Sequence, residues 1–135
     1  MHFKPYTTRI YFDDTDAGGI VYHGNYMKIY ERARTEQFVE AGFDSPGYFA
    51  THSEFFVVAD IHITYKHPIN IGDVITIQTT VHDHGHSRIN IRQSMHLNDK
   101  TLSVMDTVLV WVGTNGRPKK IPEDVLQVIK KERQK

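Results

Sequence analysis

Asp13-Asp14-Thr15-Asp16-Ala17-Gly18-Gly19-Ile20-Val21-Tyr22-His23-Gly24-Asn25-Tyr26 is the stretch on which the interpretation of the whole chain depends. It places three carboxylates and a Gly-Gly pair directly before the start of a long amphipathic segment. Carboxylates can act as nucleophiles or general bases, and the unpaired N–H groups at a helix start attract negative charge. This combination suits acyl-transfer chemistry, so we interpret the stretch as a candidate active site.

The composition bounds the class of protein. The chain has 135 residues and a mass of 15.6 kDa, so we expect one domain over residues 1–135. Sixteen Lys and Arg residues balance sixteen Asp and Glu residues, and no nucleic-acid partner is expected. Cysteine is absent, which excludes disulfides and thiolate catalysis. Without a signal-peptide pattern or an apolar run that could span a membrane, we expect a soluble, cytoplasmic protein.

The residues around the opening stretch predict a strand followed by a long helix. Thr8, Ile10 and Phe12 alternate with Arg9 and Tyr11, which predicts a strand with one buried face. From Asn25 onward the apolar residues follow a helical period instead. The predicted buried sector of this helix contains Tyr26, Met27, Tyr30, Ala33, Phe38 and Ala41.

Polar residues predict the ends of this helix and raise a question about its buried face. Asn25 is the predicted N-cap, because its side-chain oxygen can accept a hydrogen bond from the first turn, and Gly42 is the predicted stop. Arg34 and Gln37 fall inside the apolar sector, where a long polar side chain needs a partner. We interpret this inconsistency as a hint of oligomerisation.

The remainder of the chain predicts a short helix, further strands and a terminal helix. Ser45 and Pro46 predict the cap and the first position of the short helix. Alternation with a period of two predicts strands over residues 59–65, 75–81, 89–95 and 102–112. Hairpins would join the later strands into an antiparallel meander, and a terminal helix is predicted over residues 123–131. An antiparallel sheet that buries one long helix on a single face is an α+β fold.

An extended motif resembles that of a known family. Its residues are Asp14-Thr15-Asp16-Ala17-Gly18-Gly19-Ile20-Val21-Tyr22-His23, Asn25-Tyr26 and Tyr30-Glu31-Arg32-Ala33-Arg34-Thr35-Glu36. Weaker similarity continues through Tyr65-Lys66-His67-Pro68, Gly72-Asp73 and Pro118-Lys119-Lys120-Ile121-Pro122. With the order of the elements, these residues resemble the hotdog-fold acyl-CoA thioesterases of the 4-hydroxybenzoyl-CoA thioesterase-like family, and most closely its Tol-Pal-associated branch.

The resemblance implies a hotdog fold, in which a curved antiparallel sheet of about five strands wraps around the long helix. It also implies acyl-CoA as the substrate and a homodimer, often assembled as a homotetramer, with active sites between subunits. The family's catalytic carboxylate falls on Asp16, and its oxyanion donor, a backbone N–H at the helix start, falls on about His23. We expect no cofactor.

The predicted substrate-binding residues form two groups. Near the carboxylate, Gly18 and Gly19 permit close approach of the substrate, and Gly24 adds a backbone donor at the helix start. Candidates for the wall of the acyl pocket are Tyr22, Tyr26, Tyr48 and Phe49. Candidates for contact with the CoA phosphates, which the family leaves near the surface, are His86, Ser87, Arg88, Lys119 and Lys120.

Several alternatives stay open. Asp16 can attack the thioester to form an acyl-enzyme or can activate a water molecule, and residue types do not distinguish these mechanisms. Asp14 is expected to support the turn rather than react. A non-hydrolytic acyl-CoA-binding or partner-binding module is the alternative function. A metal site is not expected, because the turn at Gly85 disrupts the even spacing of His82, His84 and His86.

Overall fold

The computed structural model describes the backbone of residues 3–133 and the side chains of residues 3–131. In chain order its elements are β1 (Tyr6–Arg9), a 3-10 turn (Phe12–Asp14), α1 (Asn25–Ala41), α2 (Ser45–His52), β2 (Phe55–Tyr65), β3 (Val74–His84), β4 (Arg88–Leu97), β5 (Lys100–Val112) and α3 (Glu123–Arg133). One antiparallel sheet with helices confirms the predicted α+β class and strand number.

The sheet has the strand order β1-β3-β4-β5-β2, and each neighbouring pair is antiparallel. The predicted meander is confirmed for β3, β4 and β5. The chain crosses from β2 to β3 without pairing them, so β2 lies at the far edge beside β5. Bulges in β2 and β3 add twist and bend the strands, which curves the sheet.

The helices and the sheet bury one continuous apolar layer. The period-two prediction for β3 is confirmed, because Ile75, Ile77, Thr79 and Val81 are all buried. The helical sector is also confirmed at Tyr26, Tyr30, Ala33 and Phe38, whereas Met27 is 41% exposed and was predicted wrongly. Gly42 ends α1 in the left-handed conformation with φ 113°, as predicted for a C-terminal glycine.

Three local predictions are wrong. The strand predicted through Phe12 ends at Arg9, and Phe12 begins a 3-10 turn with its side chain 85% exposed. Gly24 precedes α1 as the N-cap, because the Asn25 amide instead donates to the carbonyl of Asp14. Asp44, not Ser45, caps α2, and its carboxylate accepts from the backbone of Gly47.

Gln37 has its partners within the same subunit, so it does not support the predicted oligomerisation. The Gln37 amide nitrogen donates to the carbonyls of Lys4 and Ile77, at 3.0 and 3.3 Å. Its amide oxygen accepts from the Thr79 hydroxyl at 2.6 Å. These bonds join α1 to β3 and to the N-terminal segment, which explains why an amide is tolerated in an apolar sector.

We expect Gln37→Ala to destabilise the fold by about 1–3 kcal/mol, since Thr79 and the Ile77 carbonyl would lose a buried partner. Urea unfolding measures the change. Glu36→Ala alters the exposed neighbour on the same helix and serves as the control. Equal unfolding midpoints for the two variants would contradict the role assigned to Gln37.

Candidate active site

Asp16 lies in a tight hairpin that folds the chain back onto itself before α1. Thr15 pairs with Val21 in an isolated antiparallel bridge, and the Asp16 N–H donates to the Ile20 carbonyl at 2.9 Å. The Gly19 N–H donates to the Asp16 carbonyl at 3.0 Å, and Gly19 adopts φ 78°, a conformation that favours glycine. The Gly-Gly pair thus forms the turn that presents Asp16.

One oxygen of the Asp16 carboxylate accepts a hydrogen bond, and the other oxygen is free among the described residues. Its Oδ1 accepts from the Gly18 N–H at 2.8 Å. A Cβ at Gly18 would lie only 3.2 Å from the same oxygen, so glycine permits this contact. The Asp16 side chain is exposed, and among the described residues Oδ2 has no hydrogen-bond partner. The free oxygen is available to a substrate or to a water molecule.

Asp14 connects this hairpin to the start of the helix. Its buried carboxylate accepts from the Tyr11 N–H at 2.9 Å. Its carbonyl accepts from the Asn25 amide at 2.9 Å and from the Tyr22 N–H at 3.3 Å. The predicted supporting role of Asp14 is therefore confirmed.

The start of α1 offers backbone donors. Gly24 precedes the helix without a side-chain cap, and the N–H groups of His23 and Gly24 have no acceptor within the part of the chain described. A Cβ at Gly24 would lie 2.8 Å from the Tyr22 ring, so glycine lets this ring lie across the turn. The Tyr22 side chain is 49% exposed and forms part of the surface beside these donors.

Tyr65 fixes the turn that carries the donors, and the sequence analysis did not identify this role. Its hydroxyl donates to the His23 carbonyl at 3.1 Å. Its ring contacts the rings of Tyr26 and His23 edge-on. Burial, and then the neighbouring Tyr65, raise the pKa of Tyr26, so its phenol stays protonated. Alternation marked Tyr65 only as the end of a strand, which gives no signal for a hydroxyl contact.

A depression of about 310 Å³ lies beside the His23 turn. Two of its basic residues, Lys66 and His67, were not among the predicted site residues. Its lining residues are Ile20, Val21, His23, Tyr26, Tyr65, Lys66, His67 and Pro68. A larger cavity, of about 650 Å³, lies between the N-terminal segment, α1, β3 and α3, and none of residues 13–26 lines it. The smaller depression therefore lies beside the helix start that follows the Asp16 hairpin, although Asp16 itself does not line it.

The predicted phosphate-binding residues come together, but far from Asp16. The Ile121 N–H donates to the His86 carbonyl and the Trp111 N–H to the Ser87 carbonyl, so residues 86–88 and 119–121 are adjacent. Lys119 pairs with Glu54, and this bond, together with one from the Trp111 indole, lowers the pKa of Glu54.

Arg88 lies in the same group, 3.9 Å from the carboxylate of Asp83. Lys120, which follows Lys119 in the sequence, is exposed. These basic residues occupy the end of the sheet where β3 finishes and β4 begins, whereas the Asp16 hairpin pairs with residues 69–71, just before β3 starts. The length of β3 separates the groups by roughly 30 Å.

Tyr48 and Phe49 lie with the basic group rather than with Asp16. Tyr48 packs its ring against Trp111 and Phe43, whereas Phe49 is half exposed and contacts Phe55 at the start of β2. Within one subunit, therefore, the structure brings together Asp16, the glycines, Tyr22, His23 and Tyr26, and it separates them from the other predicted site residues.

No group of three or more His, Cys, Asp or Glu side chains in the described part of the chain is arranged to hold a metal ion. None of its helices is long and apolar enough to cross a membrane.

Comparison with known proteins identifies the family. The sequence matches the thioesterase-like superfamily over residues 10–129. It is 31% identical over 124 residues to the acyl-CoA thioester hydrolase YbgC of Escherichia coli, covering 90% of this chain and 92% of the relative.

Solved structures agree with this match. A probable thioesterase from Bartonella henselae superimposes with a TM-score of 0.83 at 27% identity, covering 89% of this chain and 99% of that one. A thioesterase from Thermus thermophilus, solved with coenzyme A and Zn, superimposes with a TM-score of 0.82 at 25% identity, covering 97% and 94%. The chain belongs to the thioesterase-like superfamily and is a hotdog-fold thioesterase.

Proposed function

We propose that the protein hydrolyses acyl-CoA thioesters to a free acid and CoA, with Asp16 as the catalytic residue. The observation that carries this proposal is the exposed Asp16 carboxylate, held at one oxygen, on a hairpin that Asp14 joins to the unpaired N–H groups of His23 and Gly24. The Escherichia coli YbgC relative is an acyl-CoA thioester hydrolase, and the Thermus thermophilus thioesterase binds coenzyme A, which supports the same substrate class.

Each group has a defined task in this reaction. The Asp16 carboxylate either attacks the thioester carbonyl, forming an anhydride that water then cleaves, or takes a proton from the water that attacks. In both routes the carbonyl oxygen becomes negative, and the His23 N–H stabilises it. The thiolate of CoA leaves and is protonated, and the acid remains.

We also propose a homodimer formed along the outer edge of β2. Phe55–Tyr65 is an edge strand that contains neither Pro nor Lys, the residues that commonly block pairing with another chain. Phe55, Val58 and Tyr65 expose 40–47% of their surface. Two copies related by a two-fold axis would pair these edges antiparallel and extend the sheet across both subunits.

This pairing would join the two separated groups of site residues. In an antiparallel pair the Tyr65 end of one strand lies beside the Phe55 end of the other. Tyr65 contacts the His23 turn. The basic loops, which are residues 86–88 and 119–121, lie at the end of the sheet where β2 starts. We therefore assign the CoA phosphates to the partner's Arg88, Lys119 and Lys120, with His86 and Ser87 in the same loop.

The finer features implied by the resemblance complete the proposal. These are one hotdog domain over residues 1–135, a cytoplasmic location, a homotetramer built from two dimers and membership of the Tol-Pal-associated branch. Light scattering of the purified protein measures the assembly, and a mass equal to one chain would contradict both the dimer and the tetramer.

We expect Asp16→Asn to lower kcat by about 10²-fold to 10⁴-fold, because the amide can neither attack the thioester carbonyl nor accept the proton from water. Released CoA is followed with a thiol reagent, and the protein adds no background because it has no cysteine. The control is Asp13→Asn, an exposed change in the same acidic stretch. Binding of acyl-CoA without turnover in the unmodified protein would instead establish the alternative function, a non-hydrolytic binding module.

Mixed dimers test whether each site uses two subunits. One subunit carries Asp16→Asn, and the other carries Arg88→Glu with Lys120→Glu. If the site is shared, a mixed dimer retains one intact site, so random mixing restores roughly a quarter of the wild-type activity although each parent is impaired. No activity above that of the parents would show that each site lies within one subunit.

A further inference from the structure

Arg34 is a buried cation that the proposed reaction does not use. It lies on α1, is only 8% exposed, and makes no hydrogen bond or ion pair with any described residue. Its burial lowers the pKa of the guanidinium, and Glu31, one turn earlier on the helix, opposes this effect from more than 4 Å away. A buried guanidinium without a close counter-charge is unfavourable, so it marks a place where an anion would be stabilised.

Arg34 lines a cavity of about 310 Å³ between α1, α2 and the start of β2. The other walls are largely apolar and aromatic, formed by Phe38, Phe49, Phe55, Phe56 and Leu109. Phe49 and Phe55 are half exposed at the mouth. A ligand in this cavity would contact the N–H donors of the Arg34 guanidinium and the phenylalanine rings. These groups together recognise a carboxylate that is attached to an apolar body.

We propose that this cavity is a binding site for the carboxylate of a small organic acid with an apolar or aromatic body. Arg34 holds the carboxylate through its two parallel N–H groups, and the phenylalanine rings cover the rest of the ligand. Among the described residues Glu31 is the one acid that lines the cavity, and it weakens the attraction without neutralising Arg34.

Two sources could supply this carboxylate, and the first rests on the proposed function. In the proposed dimer the Phe55 end of β2 adjoins the partner's Asp16 region, so the cavity would receive the far end of an acyl group bound there. The substrate would then be an acyl-CoA whose acyl group carries a second, free carboxylate. The other source is a free acid that binds independently of CoA.

Calorimetric titration of the purified protein with benzoate and with benzamide tests the site itself. The two ligands have nearly the same shape and differ in charge, so we expect benzoate to bind more tightly. Arg34→Gln should weaken benzoate binding by about tenfold or more, and Arg34→Lys should restore only part of it, because Lys lacks the planar fork. Glu31→Gln, which removes the neighbouring acid, should bind benzoate at least as tightly as wild type.

Kinetics then distinguish the two sources. Glutaryl-CoA and pentanoyl-CoA have acyl chains of equal length, and only glutaryl-CoA ends in a carboxylate. If the acyl group supplies the carboxylate, wild type prefers glutaryl-CoA in kcat/KM, and Arg34→Gln reduces this preference by about tenfold or more. If wild type shows no preference but benzoate binding depends on Arg34, the ligand is a free acid and the site stands.

Three results would overturn the proposal. These are equal binding of benzoate and benzamide, no binding of either, and benzoate binding that Arg34→Gln leaves unchanged. In any of these cases, a weaker dimer for Arg34→Gln in sedimentation would assign the cavity to a side chain of the second copy. If the protein hydrolysed none of the acyl-CoAs, the proposed reaction would be overturned. The titrations would still decide whether the carboxylate site exists.

Discussion

The hydrogen bonds of Asp14 are the interaction on which the candidate site depends. Its carboxylate closes the 3-10 turn after β1, and its carbonyl receives the side chain of Asn25 at the start of α1. These bonds join the Asp16 hairpin to the helix start, in addition to the chain that connects them. The Asp16 carboxylate, which we propose as the catalytic group, can therefore stay exposed, because a buried neighbour two residues away supplies the rigidity that positioning requires.

The edge position of β2 is related to the separation of the two groups of site residues within one subunit. Because the chain crosses the sheet after β2, this strand occupies an edge, and its start and end lie at opposite ends of the molecule. One end supports the basic loops and the other supports the His23 turn through Tyr65. In the proposed dimer, an antiparallel pairing of two such edges would satisfy the backbone groups of the strand and would unite the two groups of site residues. The proposed dimer would thus account both for the exposed edge strand and for the separation of the two groups of site residues.

Much of the fold followed from the sequence, because hydrophobic periodicity reports which face of an element is buried. The buried residues of β3 and most of the apolar sector of α1 were predicted in this way. One error occurred where a local signal competed with a group distant in sequence. Asn25 has the chemistry of an N-cap, but the carbonyl of Asp14 recruits its side chain. The edge position of β2 had no local signal, since strand order depends on crossovers and not on alternation.

Arg34 and Gln37 show why one sequence signal can have two physical meanings. Both are long polar residues in the apolar sector of α1, and both are buried. An amide is neutral and carries a donor and an acceptor, so Thr79 and two carbonyls of the same subunit satisfy Gln37. A guanidinium has only donors and a full charge, so carbonyls or hydroxyls could hydrogen-bond to it but could not neutralise it. Its counter-charge has to be an anion, and among the described residues the nearest influence is Glu31, beyond ion-pair distance. Gln37 therefore stabilises the subunit, whereas no described residue lies within ion-pair distance of Arg34 to balance its charge.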